Sequence, residues 1–159
     1  MLRRKILLII LILFALSACG TYSMEGADQL SENEVATLDT KIQKAFDPIH
    51  VSFIDGKSRG VGSFKIYKLV PGERVITVTG NQVMRVLPNY TDVVFNAEAG
   101  KEYKLKFISH GGDKWSCEII EKSTGERVDF EQTNPRCWHP GNVGSLKCEH
   151  KRAYLNNNK

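Results

Sequence analysis

The chain has 159 residues, 42% of them hydrophobic and 25% charged, enough for one domain with a core of its own. Its 22 basic and 18 acidic residues give a formal charge of +4. The basic side chains form no concentrated patch and no repeat of solenoid length is present, which argues against a nucleic-acid partner and against a repeat architecture.

At the N-terminus Arg3, Arg4 and Lys5 precede an apolar run from Ile6 to Ala18. As a helix this run spans about 20 Å, short of the ~30 Å hydrocarbon core of a bilayer. A basic flank before a short apolar run is the pattern of a secretory signal, here residues 1–18. The run closes on Leu16-Ser17-Ala18-Cys19, which resembles the bacterial lipobox at all four positions. The resemblance implies that Cys19 receives a diacylglyceryl group, that the bond before it is cut, and that the new amine is acylated. Membrane lipid is then the first partner. Each buried methylene contributes about 0.8 kcal/mol, so two or three chains on one residue fix it to a bilayer almost permanently. Gly20 stands where lipoproteins kept at the inner membrane commonly carry Asp, which implies the periplasmic side of the outer membrane. An ordinary signal peptide cut after Ala18 is the rival reading. Loss of the signal lowers the basic residues from 22 to 19 against 18 acidic, a formal charge of +1.

Residues 19–33 are small and polar after the cysteine and read as a tether to the domain. Residues 31–46 stay open. Ser31 and Glu34 fit a capping box before a helix, and Val35, Leu38, Ile42 and Phe46 recur at helical spacing. The Val and Thr content leans instead toward a strand followed by a short turn or helix.

From His50 the pattern changes to short strands between turns. His50–Asp55 alternates apolar and polar residues and ends in Asp55-Gly56, a turn signal. Strands are predicted over 63–69, 74–79, 82–87, 92–97, 102–109, 115–121 and 127–130. Pro71-Gly72 suits a type II turn between the first two of these, and Glu98-Ala99-Gly100-Lys101 joins 92–97 to 102–109. Along 102–109, Tyr103, Leu105 and Phe107 face one way and Glu102, Lys104 and Lys106 the other. Lys101, Lys104 and Lys106 therefore read as a solvated face. The predicted fold is all-β, an antiparallel β-sandwich of seven or eight strands over residues 34–130, with a small open barrel as the alternative. Ile76, Val78, Val93, Phe95, Tyr103, Leu105 and Phe107 form the expected core.

Three motifs carry a resemblance. Leu69-Val70-Pro71-Gly72 would turn between paired strands, Ala99-Gly100-Lys101-Glu102-Tyr103 would form a hairpin, and a late strand from Trp115 closes at Thr124-Gly125. Together they resemble a broad group of bacterial envelope lipoproteins with PEGA-like or transthyretin-like β-sandwich modules. That resemblance implies the same fold and is almost silent on function. The function read here is that of a non-enzymatic lipoprotein with a structural or accessory, protein-binding role in the envelope; transthyretin-like lipoproteins serve type VI secretion in this way.

Signals for catalysis are weak. The glycines of 58–63 lack the Lys-Ser/Thr of a phosphate loop, and no Gly-x-Ser-x-Gly elbow is present. Ser109-His110 before Gly111-Gly112-Asp113 reads as a turn between strands. Trp115, Tyr103 and Phe107 read as core rather than as the wall of a ligand pocket. No catalytic residue and no cofactor is assigned, and the chain reads as not an enzyme.

The tail over 131–159 holds Cys137, His139, Cys148 and His150. These four could ligate zinc or copper, although Cys-x-His is tighter than the usual ligand spacing. Oxidation of secreted thiols favours a Cys137–Cys148 disulfide with His139 and His150 at the surface beside it. Cys117 is the odd thiol once Cys19 is lipidated, and remains an alternative partner for either tail cysteine. The alternative function is a small-ligand or metal-binding periplasmic lipoprotein that uses the aromatic face or the Cys/His tail.

Overall fold

The computed structural model describes residues 20–41, 49–60, 64–80, 89–110, 115–138 and 147–152. The signal, Cys19, the strand expected over 82–87, the Gly111-Gly112-Asp113 turn, His139 and the frayed end lie outside the described residues.

The fold is all-β. In chain order the strands are β1 (Thr21–Ser23), β2 (Ala36–Asp39), β3 (Ile49–Ile54), β4 (Lys57–Ser58), β5 (Ile66–Leu69) and β6 (Gly72–Gly80). They continue with β7 (Asn89–Ala97), β8 (Glu102–Ser109), β9 (Trp115–Glu121), β10 (Asp129–Thr133), β11 (Arg136–Trp138) and β12 (Lys147–Glu149). One five-stranded sheet runs β1-β5-β2-β8-β9 and a second runs β10-β7-β6-β3-β4; β11 and β12 form a separate ribbon. The expectation of purely antiparallel pairing is corrected in the first sheet. There β1 lies parallel to β5 and β2 parallel to β8.

The Asp55-Gly56 turn forms as expected, with φ of 50° and 74° at its two residues, and it joins β3 to β4. Positive φ at both central positions is the geometry that suits a two-residue hairpin. The other two turns behave differently. Leu69-Val70-Pro71-Gly72 does not join paired strands, because β5 belongs to the first sheet and β6 to the second. Glu98–Lys101 carries the chain back, from β7 in the second sheet to β8 in the first, so it is no hairpin either. Both corners are held by side chains that satisfy backbone groups a hairpin ladder would have paired. At the first, Arg74 donates from Nε to the Val70 carbonyl at 2.6 Å and from Nη2 to the Pro71 carbonyl at 2.9 Å. Its Nη1 meets Asp55 Oδ2 at 2.7 Å, which ties this corner to the β3–β4 turn. At the second, the Glu98 N–H donates to the Tyr103 hydroxyl at 3.0 Å.

The two sheets share one core. Leu38, Tyr67, Leu69, Tyr103, Leu105, Cys117 and Ile119 of the first meet Val51, Ile54, Ile76, Val78, Val93, Phe95 and Ala97 of the second. The Phe95 and Tyr103 rings contact edge to face at 5.1 Å, a geometry aromatic pairs favour. Phe107 and Trp115 stack at the core margin, 5.9 Å apart. Gly80 ends β6 beneath that indole, where a Cβ would come within 2.7 Å of it.

The reading of residues 19–33 as a tether is corrected over its described part. Thr21, Tyr22 and Ser23 pair in register with Ile66, Tyr67 and Lys68. Tyr22 and Met24 pack on the core, and Ala27 is 1% exposed. These apolar side chains fill the margin of the first sheet, so the segment gains more by packing than by staying solvated. Ser31 and Glu34 do pair, Oγ to Oε2 at 2.6 Å and the Ser31 N–H to Oε2 at 3.0 Å. They close a turn that leads into β2 rather than opening a helix.

Leu105→Ala should cost about 2–5 kcal/mol, since it empties a buried core position. Lys106→Ala, on the exposed face beside it, should change stability by no more than about 0.5 kcal/mol. Urea unfolding of both variants checks the assignment of faces.

Candidate functional site

Buried polar side chains gather at two places around the second sheet. The first is its outer face. β6 and β7 are buried on both sides: Val75, Thr77 and Thr79, and Asp92 and Val94, lie on the face turned away from the shared core. The tail crosses this face. β11 and β12 pair with Cys137 opposite Cys148, and the two sulfurs form a disulfide at 2.08 Å. Cys117 stands apart from that bond, buried and free.

His150 follows β12 directly and is 5% exposed, which corrects its expected surface position. Its Nδ1 donates to Asp92 Oδ2 at 2.7 Å, and Thr77 Oγ1 donates to Asp92 Oδ1 at 2.7 Å. The imidazole stands edge-on to Phe53, with ring centres 6.3 Å apart. A carboxylate inside a strand is costly unless it is fully hydrogen-bonded, and His150 supplies what β6 alone cannot. Arg152 then reaches Glu73 at 2.6 Å and also contacts Glu131. The tail is thus a clasp: the disulfide closes its base, and His150 and Arg152 fix its end to β6, β7 and β10. The sequence signal was Asp92 itself, the one acid in β7, set directly before the apolar run Val93-Val94-Phe95. Nothing local pointed to a partner 58 residues away.

The second place is the flank where β9 and β10 meet. Asp129 accepts from the Ile119 N–H at 2.8 Å, from Arg127 Nη2 at 2.6 Å and from Gln132 Nε2 at 2.9 Å. The Gln132 amide also bonds the Cys117 carbonyl. Burial opposes the Asp129 charge, but these donors, Arg127 foremost, outweigh it and hold the carboxyl below its ordinary value of 3.8. Burial first, then the nearby Asp129 charge, pushes the Cys117 thiol up to about 12. A thiol that stays protonated is a weak nucleophile. β10 carries a bulge: Asp129 faces Phe95 and Glu131 faces Val94, leaving Phe130 between them and 60% exposed. An extra residue in an edge strand is displaced from the ladder.

His110 and Ser116 share a hydrogen bond of 2.8 Å across the ends of β8 and β9. Tyr103 lies within the core, while Phe107 and Trp115 pack on each other at its margin. Among the described residues, no three His, Cys, Asp or Glu side chains converge as a metal site. Cys137, Cys148 and His150 have separate employment in the clasp. Among the described residues, no helix is long and apolar enough to cross a membrane. No family model, curated protein or solved structure matches this chain.

The depressed Asp129 value has a pH consequence with a definite sign. A carboxylate that folding makes more acidic contributes stability that is complete above its unfolded value and is lost as pH falls through its lower folded value. Asp129→Asn should therefore be less stable than the parent at pH 7, and the gap should narrow below about pH 4. Urea unfolding across that range gives the two curves.

Proposed function

We propose that the protein is a non-enzymatic envelope lipoprotein, held through acylated Cys19 at the periplasmic side of the outer membrane, with a structural or accessory role exercised by binding another envelope protein. One observation carries the reading. A basic flank, a short apolar run and Leu16-Ser17-Ala18-Cys19 stand in signal order, and folded chain begins almost at once, at Thr21. The Cys137–Cys148 bond fits an oxidising compartment such as the periplasm. Two sheets over one core fit a β-sandwich and are compatible with a PEGA-like or transthyretin-like module.

The protein-binding role draws support from how the side chains are used. His110, His150, Asp92, Asp129 and the tail cysteines all make bonds that hold the fold. Asp129 and Gln132 occupy backbone groups of β9, which closes that edge to an incoming strand. Phe130 on β10 instead offers a partner one large exposed ring, the kind of residue that anchors interfaces.

The test has two arms. Cys19→Ser should abolish labelling by radioactive palmitate and leave an unprocessed precursor; palmitate in the variant would refute lipidation at Cys19. A photo-crosslinking residue at position 130 should capture a discrete envelope protein in the native organism. The same residue at exposed Glu126 should not capture that partner.

A further inference from the structure

We propose that the folded body is seated directly on the bilayer that holds its lipid, at the corner where Gly20 enters β1, rather than suspended from it. The inference rests on lipidation at Cys19. Its carrying observation is the short distance between anchor and fold. The Gly20 carbonyl accepts the Lys65 and Ile66 N–H groups at 2.8 and 3.1 Å, and Thr21–Ser23 are paired along β5. Consecutive Cα atoms are about 3.8 Å apart, so a single peptide separates the acylated residue from ordered sheet. A free tether of residues 19–33 would have allowed roughly 20 Å of play. The glycerol of the anchor sits at headgroup depth, and the surface around Gly20 sits there with it.

That surface suits the position. Tyr22 and Phe64 contact edge to face at 5.5 Å, both half-buried, and the Arg59 guanidinium lies 5.5 Å over the Phe64 ring. Lys65 is exposed beside them. Aromatic rings and long cationic side chains favour the interface between headgroup and acyl chain. On this flank Glu25 is engaged by Lys57 at 2.9 Å, and Asp28 in the turn beyond it is exposed. That ion pair also fixes β4 on the same flank as β1, since Glu25 lies in the turn after β1.

The seating sets which part of the body faces the periplasm. β1 and β9 are the opposite edges of the first sheet, four strand spacings or roughly 19 Å apart. β10 lies on the β9 flank, joined to it by Asp129 and Gln132. Phe130 and the turn at Ser123–Glu126 are therefore on the side away from the bilayer.

The experiment uses the full protein, exported and processed in a Gram-negative host. It is reconstituted in phosphatidylethanolamine/phosphatidylglycerol vesicles containing a nickel-chelating lipid. Lys65→Cys and Glu126→Cys each carry a nitroxide; Cys117 is buried and the tail cysteines are bonded, so neither competes. Nickel at the headgroups should relax the label at 65 several-fold more than the label at 126. Intact mass of the same samples reports the acyl groups. Equal relaxation at both positions in acylated protein overturns the seating and leaves the anchor standing. Protein without acyl groups overturns the lipoprotein reading and the seating together.

Discussion

The structure depends on burial of β6 and β7 on both faces. A strand in a two-layer fold ordinarily has one face for the core and one for water. Here Ile76, Val78, Val93 and Phe95 face the other sheet, while Val75, Thr77, Asp92 and Val94 need cover as well. The first sheet supplies the inner cover. The tail supplies part of the outer one, and the disulfide and the His150–Asp92 bond hold it there. Sheet, tail and disulfide are one arrangement, required by two strands that water does not solvate on either side.

Charge at the surface plays a lesser part. Lys122 bridges Asp39 and Glu102, and Lys101 meets the half-buried Glu121; where solvent screens such pairs they contribute only roughly 0–1 kcal/mol. Arg74 is different. It bonds two backbone carbonyls and Asp55 at once, and so holds the corner where the chain leaves one sheet for the other.

Much of this was legible in the sequence. Alternation along β8 identified that strand and its inward Tyr103 and Leu105, because a period of two survives whichever neighbours a strand acquires; along β3 it misassigned Phe53, since a register shift after Val51 places Ile54 in the core instead. The Asp55-Gly56 hairpin was legible because its turn demands two positive φ values. Pairing partners were not. Pro71-Gly72 and Gly100 announce reversals, and a reversal looks the same whether the next strand joins its neighbour or crosses the core. The N-terminal segment misled for another reason: its polar composition hid Tyr22, Met24 and Ala27, three side chains that suffice to bind it to the sheet. His150 was misplaced because its reason for burial, Asp92, lies in a distant strand.

The parallel pairing of β2 with β8 bears on the order of assembly. Thr37 cannot find Glu102 until more than sixty further residues are present, although its other edge meets β5 sooner, with Thr37 opposite Lys68. Loops this long close late and slow the formation of such sheets. The β2–β8 edge is therefore a late seam of the first sheet, closing after β5 has already joined β1 and β2.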